Sequence, residues 1–251
     1  VGAAMIASQA FVVTGAKHWR KLQWTEVRSV LRQGFCEWQT LPERVLTDNE
    51  LCLAGTAIDP FPGHLTCWLV GLGIRHEFIR PHRPTDQPHI ERNHRTLDGL
   101  ALYPQALATP QTLQHSLDHE RSVYNHQFPC QASDCHGLPP LAAHPELLKP
   151  PRPYHPKLEL ALFDRQRVLD FLAGFTFKRK ALASGCISLG RHLYVLGKKL
   201  IREMHLVTVQ ARLDPKTAEW VISTDGPNPK VLARRPIKGM DTAFLTGLLP
   251  S

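Results

Sequence analysis

Leu46-Thr47-Asp48-Asn49-Glu50 and Pro88-His89-Ile90-Glu91-Arg92-Asn93-His94-Arg95-Thr96-Leu97 are the two stretches on which the fold turns. The first closes a short strand pattern, Arg44 to Thr47, and presents Asp48 at its end. The second reads as a basic helix: Pro88 takes a first-turn position, where its missing N–H costs nothing, and Glu91 falls in the first turn. Between them, Ile74 to Ile79 reads as a strand that runs into a loop bracketed by Pro81, Pro84 and Pro88. A carboxylate at a strand end and another on a later helix meet only if the fold returns the chain.

Working outward, residues 1–14 alternate as a strand does and end at Thr14-Gly15. Thr25 is the expected N-cap of a helix whose apolar stripe is Val27, Val30, Leu31, Phe35 and Trp38, with Glu26 in the first turn. Pro42 closes it. After a Gly/Pro-rich passage from Gly55 to Gly63, the spacing predicts a helix from His64 to Leu72 stopped by Gly73. A helical segment is also expected from about Gln111 to Asn125. Residues 128–156 are rich in Pro, His and Ala with little periodicity, which predicts a linker or an extended wrap.

Beyond that segment, a short helix from Phe163 to Leu172 is followed by short alternating runs. These are Phe175–Lys178, Cys186–Leu189, Leu206–Ala211, Trp220–Ser223 and Val231–Ala233, punctuated by Gly185, Gly190, Gly197, Asp214-Pro215 and Asp225-Gly226-Pro227. Closely spaced short strands with such turns predict a small β-barrel.

Composition restricts the partners. The chain of 251 residues is 43% hydrophobic, enough for a core, and carries a formal net charge of +8 with 14 histidines uncounted. Phosphate-bearing partners are favoured by that charge. No run of about 20 apolar residues suggests a membrane span. The opening Val1-Gly2-Ala3-Ala4-Met5-Ile6-Ala7 has no basic leader and reads as a strand entered partway, not a signal peptide. The six cysteines are scattered, which favours a reducing cytoplasm over a disulfide framework. Cys130 and Cys135, with His126 and His136 nearby, could hold Zn²⁺ in principle, although the paired short spacings of structural zinc sites are missing.

Asp48 and Glu91 suit a different metal. Phosphodiester transfer with Mg²⁺ (or Mn²⁺) needs hard oxygen ligands bridging attacking and leaving oxygens. A strand-end Asp is held rigidly; a helix-borne Glu approaches with more freedom. Arg80, His82 and Arg83 would then contact the phosphate backbone, with Arg92 and Arg95 extending the charge along the helix. Each element has a plainer reading as well: Asp48-Asn49 as a turn, Glu91 as a partner of the helix dipole, the arginines as a solvated face. Glu77, inside a strand, ranks below Glu91. Lys178-Arg179-Lys180, Lys198-Lys199 and Arg234-Arg235 are further candidate DNA contacts.

Taken together, Asp48-Asn49-Glu50, Gly71-Leu72-Gly73-Ile74, Arg80-Pro81 to Pro84 and Ile90 to Leu97 resemble the second and third acidic segments of the retroviral-type integrase and transposase catalytic core, the DDE superfamily. The match covers about the first 125 residues. It implies an α/β ribonuclease-H-like core, incomplete, with a mixed sheet and flanking helices, in which Asp48 and Glu91 are metal ligands. Cys186-Ile187-Ser188-Leu189, Tyr194-Val195-Leu196-Gly197 and Asp214-Pro215 resemble, more weakly, the small all-β barrel of Mu-type transposases, which supports DNA binding and assembly.

One departure stands out: residues 1–47 contain no Asp, so nothing upstream of Asp48 supplies the family's first acid. The expectation is an N-terminally truncated core over 1–127, a Pro-rich linker over 128–162 and a small β-barrel over 163–251. The expected activity is DNA integration or transposition by metal-dependent hydrolysis and strand transfer, weak or lost with two of three carboxylates. A noncatalytic DNA-binding or assembly subunit is the alternative. Expected partners are mobile-element ends and target DNA, with a homo-oligomer as the active assembly, no membrane, and a cytoplasmic, DNA-associated location.

Overall fold

The computed structural model describes residues 23–47, 61–78, 122–130, 135–148, 152–205 and 207–249, with isolated helical positions at 112, 115 and 119. It is a mixed α/β molecule, with sheets and flanking helices. Two compact units divide it: Val1–Pro42 with Ile79–Pro156, and Glu43–Phe78 with Lys157–Ser251. The division does not follow the chain. Arg44 to Phe78, expected to belong with the segment before it, groups instead with the C-terminal strands.

In the first unit, helix α1 (Trp24–Glu37) begins at Gln23, two residues before the Thr25 cap expected from sequence. Glu26 explains the shift: its carboxylate accepts from the Gln23 backbone N–H at 2.7 Å, half of a capping box. Phe35 and Leu41 are buried. Residues 152–154, inside the Pro-rich stretch, run beside the exit of α1 as an extended wrap. The Leu41 N–H donates to Arg152 O at 2.9 Å, the Tyr154 N–H donates to Gln39 O at 2.9 Å, and Arg152 Nη1 donates to Pro42 O at 2.9 Å. Tyr154 meets Phe35 edge-on, 5.9 Å between ring centres. Upstream in the same stretch are α2 (Pro140–Ala143) and a 3₁₀ turn, Pro145–Leu148.

The second unit contains a strand–helix–strand arrangement. β1 (Arg44–Thr47) and β2 (Arg75–Phe78) pair in parallel, Arg44 opposite Arg75 through Thr47 opposite Phe78, and α3 (His64–Gly71) connects them. All three elements match the sequence expectation. α3 is apolar nearly all round, with Leu65, Cys67, Trp68 and Leu69 fully closed to solvent, which marks a helix covered on several sides. Much of that cover comes from the far end of the chain. α4 (Glu159–Leu162) and α5 (Arg165–Ala173) follow a 3₁₀ turn, Pro156–Leu158, and α5 packs on α3. The ring of Phe163 lies where a side chain on Gly71 would stand, and the Asp164 N–H donates to Gly71 O at 2.9 Å. Asp164 then caps α5 by accepting from the Gln166 N–H at 2.8 Å.

The C-terminal strands are β3 (Phe177–Lys180), β4 (Cys186–Leu189), β5 (His192–Val195), β6 (Thr208–Asp214), β7 (Glu219–Thr224) and β8 (Val231–Pro236). Among the described residues they do not close into the expected barrel. They form an antiparallel sheet, β3-β6-β7-β8, and a separate β4-β5 hairpin. β3 and β8 stay unjoined as charged edges, Phe-Lys-Arg-Lys on one side and Arg234-Arg235-Pro236 on the other, a composition that discourages further pairing. The inner face buries Phe177, Val209, Ala211, Leu213, Trp220 and Ile222. Phe61 joins this cluster, 5.0 Å from Phe177 and 6.0 Å from Trp220 between ring centres. Helices α6 (Lys198–Glu203) and α7 (Thr242–Thr246) complete the unit.

Candidate functional site

The carboxyl ends of parallel strands are where open α/β sheets bind ligands, because side chains and loops converge there. Here that edge is formed by Thr47 and Phe78, in register. Asp48 follows Thr47 in the chain and lies outside the described residues, as do Glu91, Arg80, His82, Arg83, Arg92 and Arg95. The strand expected from residues 1–14 and the Glu91 helix fall there too.

The helix-covered side of the pair carries a polar chain. His76 Nε2 lies 3.0 Å from Thr47 Oγ1, and His76 Nδ1 lies 2.8 Å from Thr66 Oγ1. The Phe78 ring stands 4.3 Å away, centre to centre. Burial lowers the imidazole pKa to about 4, so it is neutral near pH 7, with one donor and one acceptor nitrogen for two hydroxyls that can serve either way. Glu77 points to the other side and pairs with Arg44 at 3.5 Å, an ordinary cross-strand ion pair. His76 carried no signal in the sequence: a lone histidine in a strand reads as core or surface until a partner is seen.

The predicted trio Lys178-Arg179-Lys180 is split by the pleat of β3. Lys178 and Lys180 stand exposed on one face. Arg179 turns to the other, 5.4 Å over the Phe177 ring, with its Nη1 donating to Lys178 O. Lys178 is also partly neutralised, its Nζ lying 3.0 Å from Asp225 Oδ1. On the same outer face Arg234 pairs with Asp214 at 3.2 Å and holds that carboxyl below its ordinary pKa. Arg235 Nε donates to Val195 O at 2.9 Å and Lys199 faces Glu203 at 3.7 Å. The cationic surface of this sheet is therefore interleaved with acids.

Cys130 and Cys135 are both buried, and Cys130 Sγ lies 4.0 Å from the Tyr124 hydroxyl. Among the described residues no three His, Cys, Asp or Glu side chains come together as potential metal ligands. An open groove of about 610 Å³ runs along α1, lined by Ser29, Arg32, Gln33, Cys36, Glu37 and Pro156. Among the described residues no helix is long and apolar enough to cross a membrane. No family model matches the chain.

Proposed function

We propose that this chain is a DNA integrase or transposase of the DDE type, with a ribonuclease-H-like core that uses Asp48 and Glu91 as ligands of Mg²⁺ or Mn²⁺. The observation that carries the reading is the parallel pairing of β1 with β2 across α3. The pair ends at Thr47 and Phe78, at the carboxyl edge where open α/β sheets bind ligands, and in this reading the next residue in the chain, Asp48, serves as the rigid metal ligand. The donor set fits: two carboxylates are the hard oxygen ligands that Mg²⁺ takes. When bound, the ions would activate the attacking oxygen and stabilise the leaving one on the DNA phosphate. The chain's own contribution is to hold the carboxylates and to bind the phosphodiester backbone through the basic residues from Arg80 to Arg95. The C-terminal strands supply DNA and assembly contacts in this reading, and the active form is a homo-oligomer on mobile-element ends and target DNA in the cytoplasm.

With no Asp among residues 1–47, two of three acids are present, and this chain by itself is expected to join little DNA. The direct test is duplex affinity by fluorescence anisotropy with and without Mg²⁺ at constant ionic strength. Mg²⁺ tightens binding by the wild-type chain and leaves Asp48→Asn and Glu91→Gln unchanged. An equal Mg²⁺ response in all three proteins overturns the metal site and favours a noncatalytic DNA-binding subunit.

A further inference from the structure

We propose that the outer edge of β5 is a docking site for an extended, acidic peptide segment of a partner protein, which adds to the β4-β5 hairpin as a third strand. The proposal does not depend on the metal-site reading. The Leu196 N–H donates to Gly185 O at 2.8 Å, so the even-numbered residues of β5 turn their amides toward β4, and Leu193 and Val195 turn theirs away. Among the described residues no strand pairs with that edge. Its carbonyls are met instead by two long cationic side chains. Lys238 Nζ donates to Leu193 O at 3.3 Å, and Arg235 Nε donates to Val195 O at 2.9 Å. The side chains of Leu193 and Val195 point to solvent, with the residues 56% and 57% exposed.

These features specify the occupant. An added strand bonds to the main chain at Leu193 and Val195, its N–H groups replacing two flexible side chains as donors to the carbonyls. The residues opposite Leu193 and Val195 share their face, where apolar side chains would cover the two exposed ones. The residue between them, opposite Tyr194, falls on the other face, where Lys238 stands 5.2 Å over the Tyr194 ring. A carboxylate there receives the ammonium released from Leu193 O. The wider charge agrees: residues 185–202 and 226–240 contain no Asp or Glu, and each stretch carries four Lys or Arg. Of these, Arg234 and Lys199 are met by Asp214 and Glu203, outside the two stretches. A second copy of the chain would bring like charge against like. A DNA backbone donates nothing to the two carbonyls and leaves Leu193 and Val195 in water.

The test is fluorescence anisotropy of the full chain with a labelled peptide of about seven residues, the length of a short strand, alternating Glu with Val. The peptide binds saturably. N-methylation at its valines, whose amides face β5, abolishes binding, whereas N-methylation at its glutamates, whose amides point away, leaves it intact. Val195→Pro removes an edge donor without touching the ladder to β4 and weakens binding by about 10-fold. Lys238→Glu weakens it by about 3–10-fold and binds the peptide with Lys in place of Glu better than the wild type does. If Val195→Pro fails to fold, the two methylated peptides decide the matter, since they leave the protein unchanged. No saturable binding, or equal binding of both methylated peptides, overturns strand docking. A wild-type dimer in analytical ultracentrifugation that Val195→Pro returns to monomer assigns the edge to a second copy and overturns the proposal. Loss of duplex DNA affinity in Val195→Pro, with no peptide binding by the wild type, assigns it to nucleic acid and overturns it likewise.

Discussion

The indole N–H of Trp68 donates to a carboxylate oxygen of Glu159 at 2.9 Å, and both side chains are closed to solvent. This bond ties α3, between the two parallel strands, to the helix that opens the C-terminal segment. Glu159→Ala removes a buried acceptor and leaves a cavity, and is expected to cost about 2–4 kcal/mol. Glu159→Gln keeps an acceptor oxygen and costs less. Urea denaturation of the two variants checks the order; equal losses would mean the bond contributes nothing.

Gly71 is conformationally ordinary, and its requirement is spatial. A Cβ there meets the ring of Phe163, which is itself buried. Gly71→Ala is expected to destabilise by about 1–3 kcal/mol through overpacking, despite the better helix propensity of Ala. Thermal unfolding of Gly71→Ala beside Gly71→Ala/Phe163→Leu would show recovery in the double variant, because the shorter side chain makes room.

Acid should weaken the second unit through two histidines. His76 is lowered to about 4 by burial, and His64 to about 4 by burial first and then by Arg191 and His192. Below the ordinary value of 6.5 the unfolded chain binds protons that the folded one refuses. Their stabilisation is therefore complete above about pH 6.5 and lost progressively as the pH falls toward 4. Both rings are partly exposed, so the combined loss is on the order of 1–3 kcal/mol. Urea midpoints measured from pH 7 to pH 4 should fall, with a shallower slope in His76→Gln and in His64→Gln.

If the outer face of the C-terminal sheet meets DNA, its cations should not contribute equally. Lys180 is exposed, whereas Lys178 shares its charge with Asp225. Removing one lysine that neutralises a phosphate reduces the salt slope of binding by about 1. Lys180→Ala should show more of that reduction than Lys178→Ala, and Asp225→Asn should tighten binding by releasing Lys178. Anisotropy titrations across a salt series decide it; no change in slope for any of the three removes this face from the DNA surface.

Much of the parallel unit was legible because its signals are local. The β1 boundaries, the α3 start at His64 and the stop at Gly73 follow from periodicity and a glycine with φ of 69°. β5 escaped because its turn lacks the usual Asn-Gly signature: Gly190 and Arg191 both take positive φ, 56° and 65°, and fold the β4-β5 hairpin as a type I′ turn does. Barrel closure could not be read either, since strand number says nothing about whether β3 and β8 meet. Phe61 shows the same limit. It sits in a Gly/Pro-rich passage that reads as loop, yet its ring completes a core with Phe177 and Trp220, more than 100 residues on. Side-chain partnerships at that separation leave no trace in local pattern, and neither does that of His76 with Thr66, ten residues apart but on two different elements.

The interrupted layout of the second unit bears on how the protein is made. Leu65, Trp68 and Leu69 leave the ribosome long before Phe163, Val168 and Leu172, the residues that cover that helix. Closing so long a loop adds little entropy over closing a shorter one, since the cost grows only with the logarithm of its length. The delay during synthesis is the larger hazard: for tens of residues an apolar helix waits without its lid, open to aggregation or chaperone capture. A protein cut within residues 79–156 would keep Arg44 to Phe78 but never receive that cover. The strand pair and the C-terminal sheet are therefore expected to be inherited, expressed and lost together.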